Sequence, residues 1–143
     1  MTTISYPRVC EVSPAECFRV LGTFSLGRVA IVAGDGPRVF PVNYALDHDE
    51  IVFRTDPSSM LGCASGMRAA FEIDGFDPAY YEGWSVLVVG TLRVETDPAR
   101  VRALDRFPLR PWMPGAKDRW LRVIPDTITG RRITHERSAG TNC

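Results

Sequence analysis

Lysine is almost missing from this chain: of 17 basic residues 16 are arginine, and the one lysine is Lys117. Histidine is as scarce, with only His48 and His135, both among polar, turn-like neighbours. No G-x-S-x-G elbow accompanies them, since Gly62-Cys63-Ala64-Ser65-Gly66 has the wrong spacing, and serine-triad chemistry is set aside. The 4 cysteines, Cys10, Cys17, Cys63 and Cys143, form no C-x-x-C pair, so no metal site and no disulfide framework is indicated, and reduced thiols are expected. Cys63 lies among small residues with no base beside it, which reads as packing rather than as a nucleophile. No apolar run reaches the roughly 18 residues of a membrane span, and the N-terminus lacks an apolar leader. A cytoplasmic protein without a membrane partner is expected. Net charge is missing too: 17 acidic residues balance 17 basic ones, which argues against capture of nucleic acid by the chain as a whole.

What is present describes a globular protein. An apolar fraction of 45% beside 24% charged residues is ordinary, and 143 residues suffice for one core. No repeat or linker divides the chain, so a single domain over residues 1–143 is expected, with its core at about 13–133.

Ser13-Pro14-Ala15-Glu16 is a capping box with proline at the first helical position, and predicts a helix of about two turns ending at Gly22. From Gly27 the apolar period drops to two. Strands are predicted over 28–33, 38–46, 51–55, 68–74, 84–95, 120–124 and 127–133, the last two parted by Pro125-Asp126. Short helices are predicted over 60–65, capped by Ser58 or Ser59, and from Asp97-Pro98 to about residue 107. Gly34-x-Gly36 joins two strands and is therefore a hairpin turn, not a dinucleotide fingerprint. The strand over 84–95, the longest expected, is apolar at every position of 86–89 and alternates beyond Gly90. One end then needs cover on both faces, and the cheapest source of a second layer is another subunit. Strands in series without helical crossovers exclude a parallel α/β sheet and predict a mostly β barrel or sandwich.

Two further groups invite chemistry. Glu72 and Asp74 share a strand face, either as an acid/base pair or as an ion-paired edge. Trp84, Trp112 and Trp120 stand near arginines, either to stack on bases or, as suits a neutral β domain, to pack.

The series Arg28-Val29-Ala30, Phe40-Pro41-Val42-Asn43-Tyr44, Ile51-Val52-Phe53-Arg54-Thr55, Phe71-Glu72-Ile73-Asp74-Gly75-Phe76-Asp77 and Glu82-Gly83-Trp84-Ser85-Val86 resembles the pyridoxamine 5′-phosphate oxidase-like, FMN-binding split-barrel family. Pro108-Leu109-Arg110-Pro111-Trp112 and Thr129-Gly130-Arg131-Arg132-Ile133 look like its nitroimidazole-resistance-type branch. The resemblance implies a six- to seven-stranded antiparallel Greek-key split barrel with two or three short helices, forming a homodimer with the flavin at the subunit interface.

By that resemblance Arg54, Thr55, Ser58 and Ser59 match the phosphate-holding turn, where a guanidinium grips phosphate oxygens and hydroxyls and a helix N-terminus add donors. Pro41, Val42 and Asn43 match the strand beside the isoalloxazine ring, and Trp84 and Ser85 match positions near the cofactor. The alternatives are an Arg54 ion pair with Asp56 or Glu50, an Asn43 that serves only a bulge, and a Trp84 that belongs to the core. Where the family carries a lysine in the turn, this chain has Met60, a thioether that cannot donate. One charge-assisted contact of about 1.5–3 kcal/mol is thereby lost, or roughly ten- to a hundredfold in FMN affinity, unless Arg131 or Arg132 compensates from the other subunit.

The expectation is a flavin-dependent oxidoreductase acting on a small planar substrate between walls such as Trp84 and Trp112, with no catalytic side chain singled out. The alternatives are a binding protein for FMN, a deazaflavin coenzyme or haem, or a cofactor-free paralogue. Charge divides along the chain: residues 1–92 hold 6 basic and 11 acidic groups, residues 93–132 hold 10 and 5. The second section suits an anionic cofactor or the acidic part of a partner copy.

Overall fold

The computed structural model describes residues 6–109, 115 and 117–135. Ser13 accepts from the Glu16 amide at 3.2 Å, and helix α1 (Pro14–Thr23) starts there as the capping box requires. Around it run strands β1 (Pro7–Val12), β2 (Leu26–Ala33), β3 (Gly36–Asp47), β4 (Glu50–Thr55), β5 (Arg68–Asp77), β6 (Glu82–Val94) and β7 (Arg119–His135), with helix α2 (Pro98–Leu104) between β6 and β7. All pairings are antiparallel, in the order β1-β7-β4-β3-β2-β5-β6, and a further β7–β6 pairing closes the ring. The fold is a mostly β split barrel. β5 follows β4 in sequence yet pairs with β2, so the connection over 56–67 crosses the barrel end.

The barrel interior holds Val29, Ile31, Tyr44, Ile51, Phe53, Phe71, Ile73, Val88, Leu92, Leu121 and Val123, joined by Cys17 and Leu21 of α1. The Tyr44 hydroxyl donates to the Leu21 carbonyl at 2.6 Å and pins the helix, and burial pushes that phenol's pKa up. A second, smaller core lies outside: Val52 and Trp120 pack on Leu104, with Trp120 Nε1 donating to Asp105 at 2.8 Å. Among the described residues no helix is long and apolar enough to cross a membrane.

Several expectations are corrected. The first described strand, β1, was not predicted, because one buried residue among exposed neighbours leaves no alternation to read. The segments 120–124 and 127–133 are one strand, and at 17 residues β7, not β6, is the longest. Pro125 stays in it, in register with Gly90, because the β6–β7 register slips between Val89 and Gly90 and leaves Asp126 over, and a strand tolerates a residue without a ladder donor beside such a bulge. Gly90 is obligatory there, since a Cβ would stand 2.0 Å from the Ile124 carbonyl oxygen. No helix forms over 60–65, which is a run of turns, and β5 continues to Asp77 through what was expected to be a loop. Cys10 is disulfide-bonded, against the expectation of four reduced thiols, while Cys17 and Cys63 are free; spacing along a chain does not tell which cysteines a fold brings to a partner. Val86 and Val88 point into the barrel, whereas Leu87 is 41% exposed, so this chain does not itself cover the second face of β6.

Candidate functional site

The β3–β4 ladder runs from Asp47 with Glu50 to Tyr44 with Phe53 and stops. Beyond it β3 continues against β2, pairing Asn43 with Leu26, while β4 continues against β7, pairing Thr55 with Arg119. Asn43 and Arg54 are the first residues past the fork. Asn43 Oδ1 is buried and has no partner, a costly state for an amide unless something else meets it. Arg54 forms no ion pair with Asp56 or Glu50. Its Nε donates to the Lys117 carbonyl at 2.7 Å and its guanidinium lies 5.5 Å from the Trp120 ring, while its terminal nitrogens reach no described residue.

Below the fork lies the turn that leads into the crossover. Asp56 organises it, accepting from the Ser58 amide and hydroxyl, both at 2.8 Å. The Ser59 hydroxyl donates to the Asp56 carbonyl at 2.7 Å, accepts from the Gly62 amide at 3.0 Å, and lies 2.9 Å from the hydroxyl of the buried Thr55. Because its single proton goes to Asp56, Thr55 is the donor in that last contact. The serine and threonine protons are thus engaged within the turn rather than pointed outward. Gly62 permits the tight return, since a Cβ there would sit 2.2 Å from the Asp56 oxygen. Hydrogen bonds from Ser58 hold the Asp56 carboxyl below its ordinary range, and the Lys117 ammonium adds to the pull. Arg119 donates to the Gly62 carbonyl at 3.0 Å. Met60 is 46% exposed.

Trp84, Ser85 and Arg131 belong elsewhere in the chain. With Arg19, Phe24 and Arg132 they line a cavity of about 260 Å³ between α1, β6 and β7. Trp84 is half-buried against the main core and stacks on Phe24 with ring centroids 4.9 Å apart. Pro41 is exposed and Val42 is buried on β3. Trp112 lies outside the described residues.

Two charge clusters complete the picture. Arg28 reaches both Glu72 and Asp74 at 3.4 Å, the ion-paired edge expected of them, and Glu72 is pushed up to about 7 by burial and by the neighbouring carboxylate. Arg122 was not anticipated, although a lone charge in the apolar run Trp120-Leu121-Arg122-Val123 is the signal that marks it. Its side chain is 7% exposed and donates to Glu95 and Asp47, each at 2.6 Å, and to Glu50 at 3.2 Å. Burial works against that guanidinium's charge, and the carboxylates outweigh it.

The protein family described as pyridoxamine 5′-phosphate oxidase matches residues 13–132. The chain belongs to this family. Among solved structures, an FAD-binding protein of Mycobacterium smegmatis is 31% identical, with a TM-score of 0.74 over 88% of this chain and 98% of that one. A Mycobacterium tuberculosis protein without an assigned function is 31% identical over 131 residues, 87% of this chain and 86% of the relative. A Bacteroides thetaiotaomicron protein named for 5-nitroimidazole antibiotic resistance shares the fold at 16% identity, with a TM-score of 0.66 over 94% of this chain and 95% of that one. Measured against the family's cofactor, the residues at the fork fit: the buried amide oxygen of Asn43 lacks a donor, and the terminal guanidinium nitrogens of Arg54, on the strand that parts from it, reach no described residue.

Proposed function

We propose that this chain is a flavin-dependent oxidoreductase that binds a flavin nucleotide, FMN or its dinucleotide FAD, where β3 and β4 part. The observation that carries the reading is the unpartnered, buried Oδ1 of Asn43 on one arm of the fork, with Arg54, whose terminal nitrogens reach no described residue, on the other. An isoalloxazine edge offers an N–H donor for the first, and a phosphoester suits the second. The 31% identity to an FAD-binding protein supports the same ligand class. When bound, the flavin supplies hydride or one-electron transfer at its ring. The chain's own residues orient and shield it: Asn43 fixes the ring edge, Arg54 meets the phosphate end, and the Val52, Leu104 and Trp120 cluster keeps water from the outer face.

A second copy of the chain belongs to this reading. Leu87, exposed between buried Val86 and Val88, gives β6 an apolar outer position that a partner covers, and the cavity holding Trp84, Ser85 and Arg131 is open to a small planar substrate or to the partner's cofactor. The absorption spectrum tests the function. Purified protein, or apoprotein given FMN or FAD, should show a flavin spectrum that NADH or NADPH bleaches. A flavin spectrum no reductant or substrate alters makes the protein a flavin carrier, a Soret band makes it a haem protein, and a colourless protein that takes up neither flavin contradicts the proposal.

A further inference from the structure

The turn that the family resemblance equips with a lysine carries Met60, and its hydroxyl protons are spent within the turn. Something else must meet an anion there. The β4–β7 pairing supplies it: Thr55 stands opposite Arg119, and the Lys117 carbonyl receives Arg54 Nε at 2.7 Å. The chain's only lysine, 63 residues on from Arg54, is thereby delivered to the turn. Arg119 is anchored by one nitrogen to the Gly62 carbonyl at 3.0 Å, which leaves the rest of its fork available. The amides of Met60 and Leu61 donate to no described residue, so two backbone donors remain as well.

We propose that Lys117 and Arg119, from the start of β7, complete with Arg54 the seat for the phosphate end of the flavin, taking over the charge that Met60 cannot provide. Three cations then face the one carboxylate of the turn, Asp56, and the surplus suits a doubly charged phosphoester or a diphosphate. The Lys117 ammonium is near enough to the Asp56 carboxyl to add to the lowering of its pKa. Met60 is tolerated because the contact has moved to another strand, not because phosphate binding has been abandoned. The proposal rests on the flavin reading for its ligand, and riboflavin, which has no phosphate, separates the two.

The test is equilibrium binding of FMN and of riboflavin to the full-length apoprotein. Wild type should prefer FMN. Lys117→Gln should lower FMN affinity by about tenfold, the loss of one charge-assisted contact, and leave riboflavin unchanged. Adding Met60→Lys to Lys117→Gln should restore most of the preference, a rescue that a purely structural Lys117 does not permit. Arg119→Lys should weaken FMN alone and keep the melting temperature within a few degrees of wild type. If Lys117→Gln leaves the FMN-to-riboflavin ratio at the wild-type value while Arg54→Gln lowers it, the assignment of Lys117 is overturned and the flavin reading stands. If wild type binds neither flavin, the flavin reading fails, and inorganic pyrophosphate titrated against Trp120 fluorescence decides the seat: binding that weakens in Lys117→Gln upholds it, and no binding overturns it.

Discussion

Asn43 and Arg54 occupy the first positions beyond the last β3–β4 pair, Tyr44 with Phe53, and each follows a different neighbour from there. A fork of this kind opens the sheet without leaving frayed edges, because β3 retains β2 and β4 retains β7. The opening is flanked by an amide oxygen that lacks a donor and by a guanidinium that meets no anion among the described residues. On the proposed reading, a ligand bound there would complete hydrogen bonds that the fold leaves open.

Gly62 should be indispensable to the turn. In Gly62→Ala the new methyl meets the Asp56 carbonyl oxygen at 2.2 Å, and backbone cannot yield as a side-chain tip does. The turn must open, displacing Ser59 and releasing Arg119. FMN affinity is expected to fall at least tenfold, measured by flavin fluorescence quenching, with a smaller cost in stability of about 1–3 kcal/mol in urea unfolding.

Arg122 ties three elements together, holding the β3–β4 turn through Asp47 and Glu50 and the end of β6 through Glu95. Truncation in Arg122→Ala strands the carboxylate of Glu95, itself 7% exposed, without a counter-charge. The expected loss is about 3–5 kcal/mol by chemical denaturation, with flavin affinity little changed at temperatures where the variant is folded. Glu95→Gln in the Arg122→Ala background should recover part of it.

Glu72 makes stability depend on pH. Its folded pKa, about 7, lies above its ordinary 4.5, so the native state binds the extra proton and stability falls as pH rises from 4.5 through 7. Glu72→Gln should therefore raise the melting temperature relative to wild type at pH 8, and the advantage should vanish at pH 4. Equal differences at both pH values would show that the carboxyl is not perturbed. Because the side chain is 37% exposed, water screens the effect and only its sign is predicted.

Leu87→Asp places a charge on the outer face of β6 without touching the barrel interior, which Val86 and Val88 fill. Sedimentation should show wild type as a dimer at micromolar concentration and the variant shifted toward monomer. A wild type that sediments as a monomer would show that Leu87 faces water.

Much of the barrel was legible because its turns are local. Gly34 to Gly36 and Asp47 to Glu50 announce the β2–β3–β4 meander, and His48 at φ 57 shows how tight the second turn is. The Ser13 cap announces α1 in the same way. What escaped was non-local. Pro125 looks like a strand break until Gly90 is seen opposite it, and Ser58 and Ser59 look like helix caps until Gly62 is seen folded onto Asp56. For the site, the resemblance named Asn43, Arg54 and the turn. It could not show that the turn's hydroxyls bond to one another, or that β4–β7 pairing brings Lys117 and Arg119 alongside.

Flavin uptake by apoprotein, compared between wild type and Asn43→Ala, tests the central claim most directly. Calorimetric titration with FMN or FAD should show one flavin per chain for wild type, and roughly tenfold weaker binding for Asn43→Ala at a melting temperature equal to or above that of wild type, because an unsatisfied buried group has been removed. Wild-type affinity retained in Asn43→Ala, or no uptake of either flavin by wild type, would contradict the account.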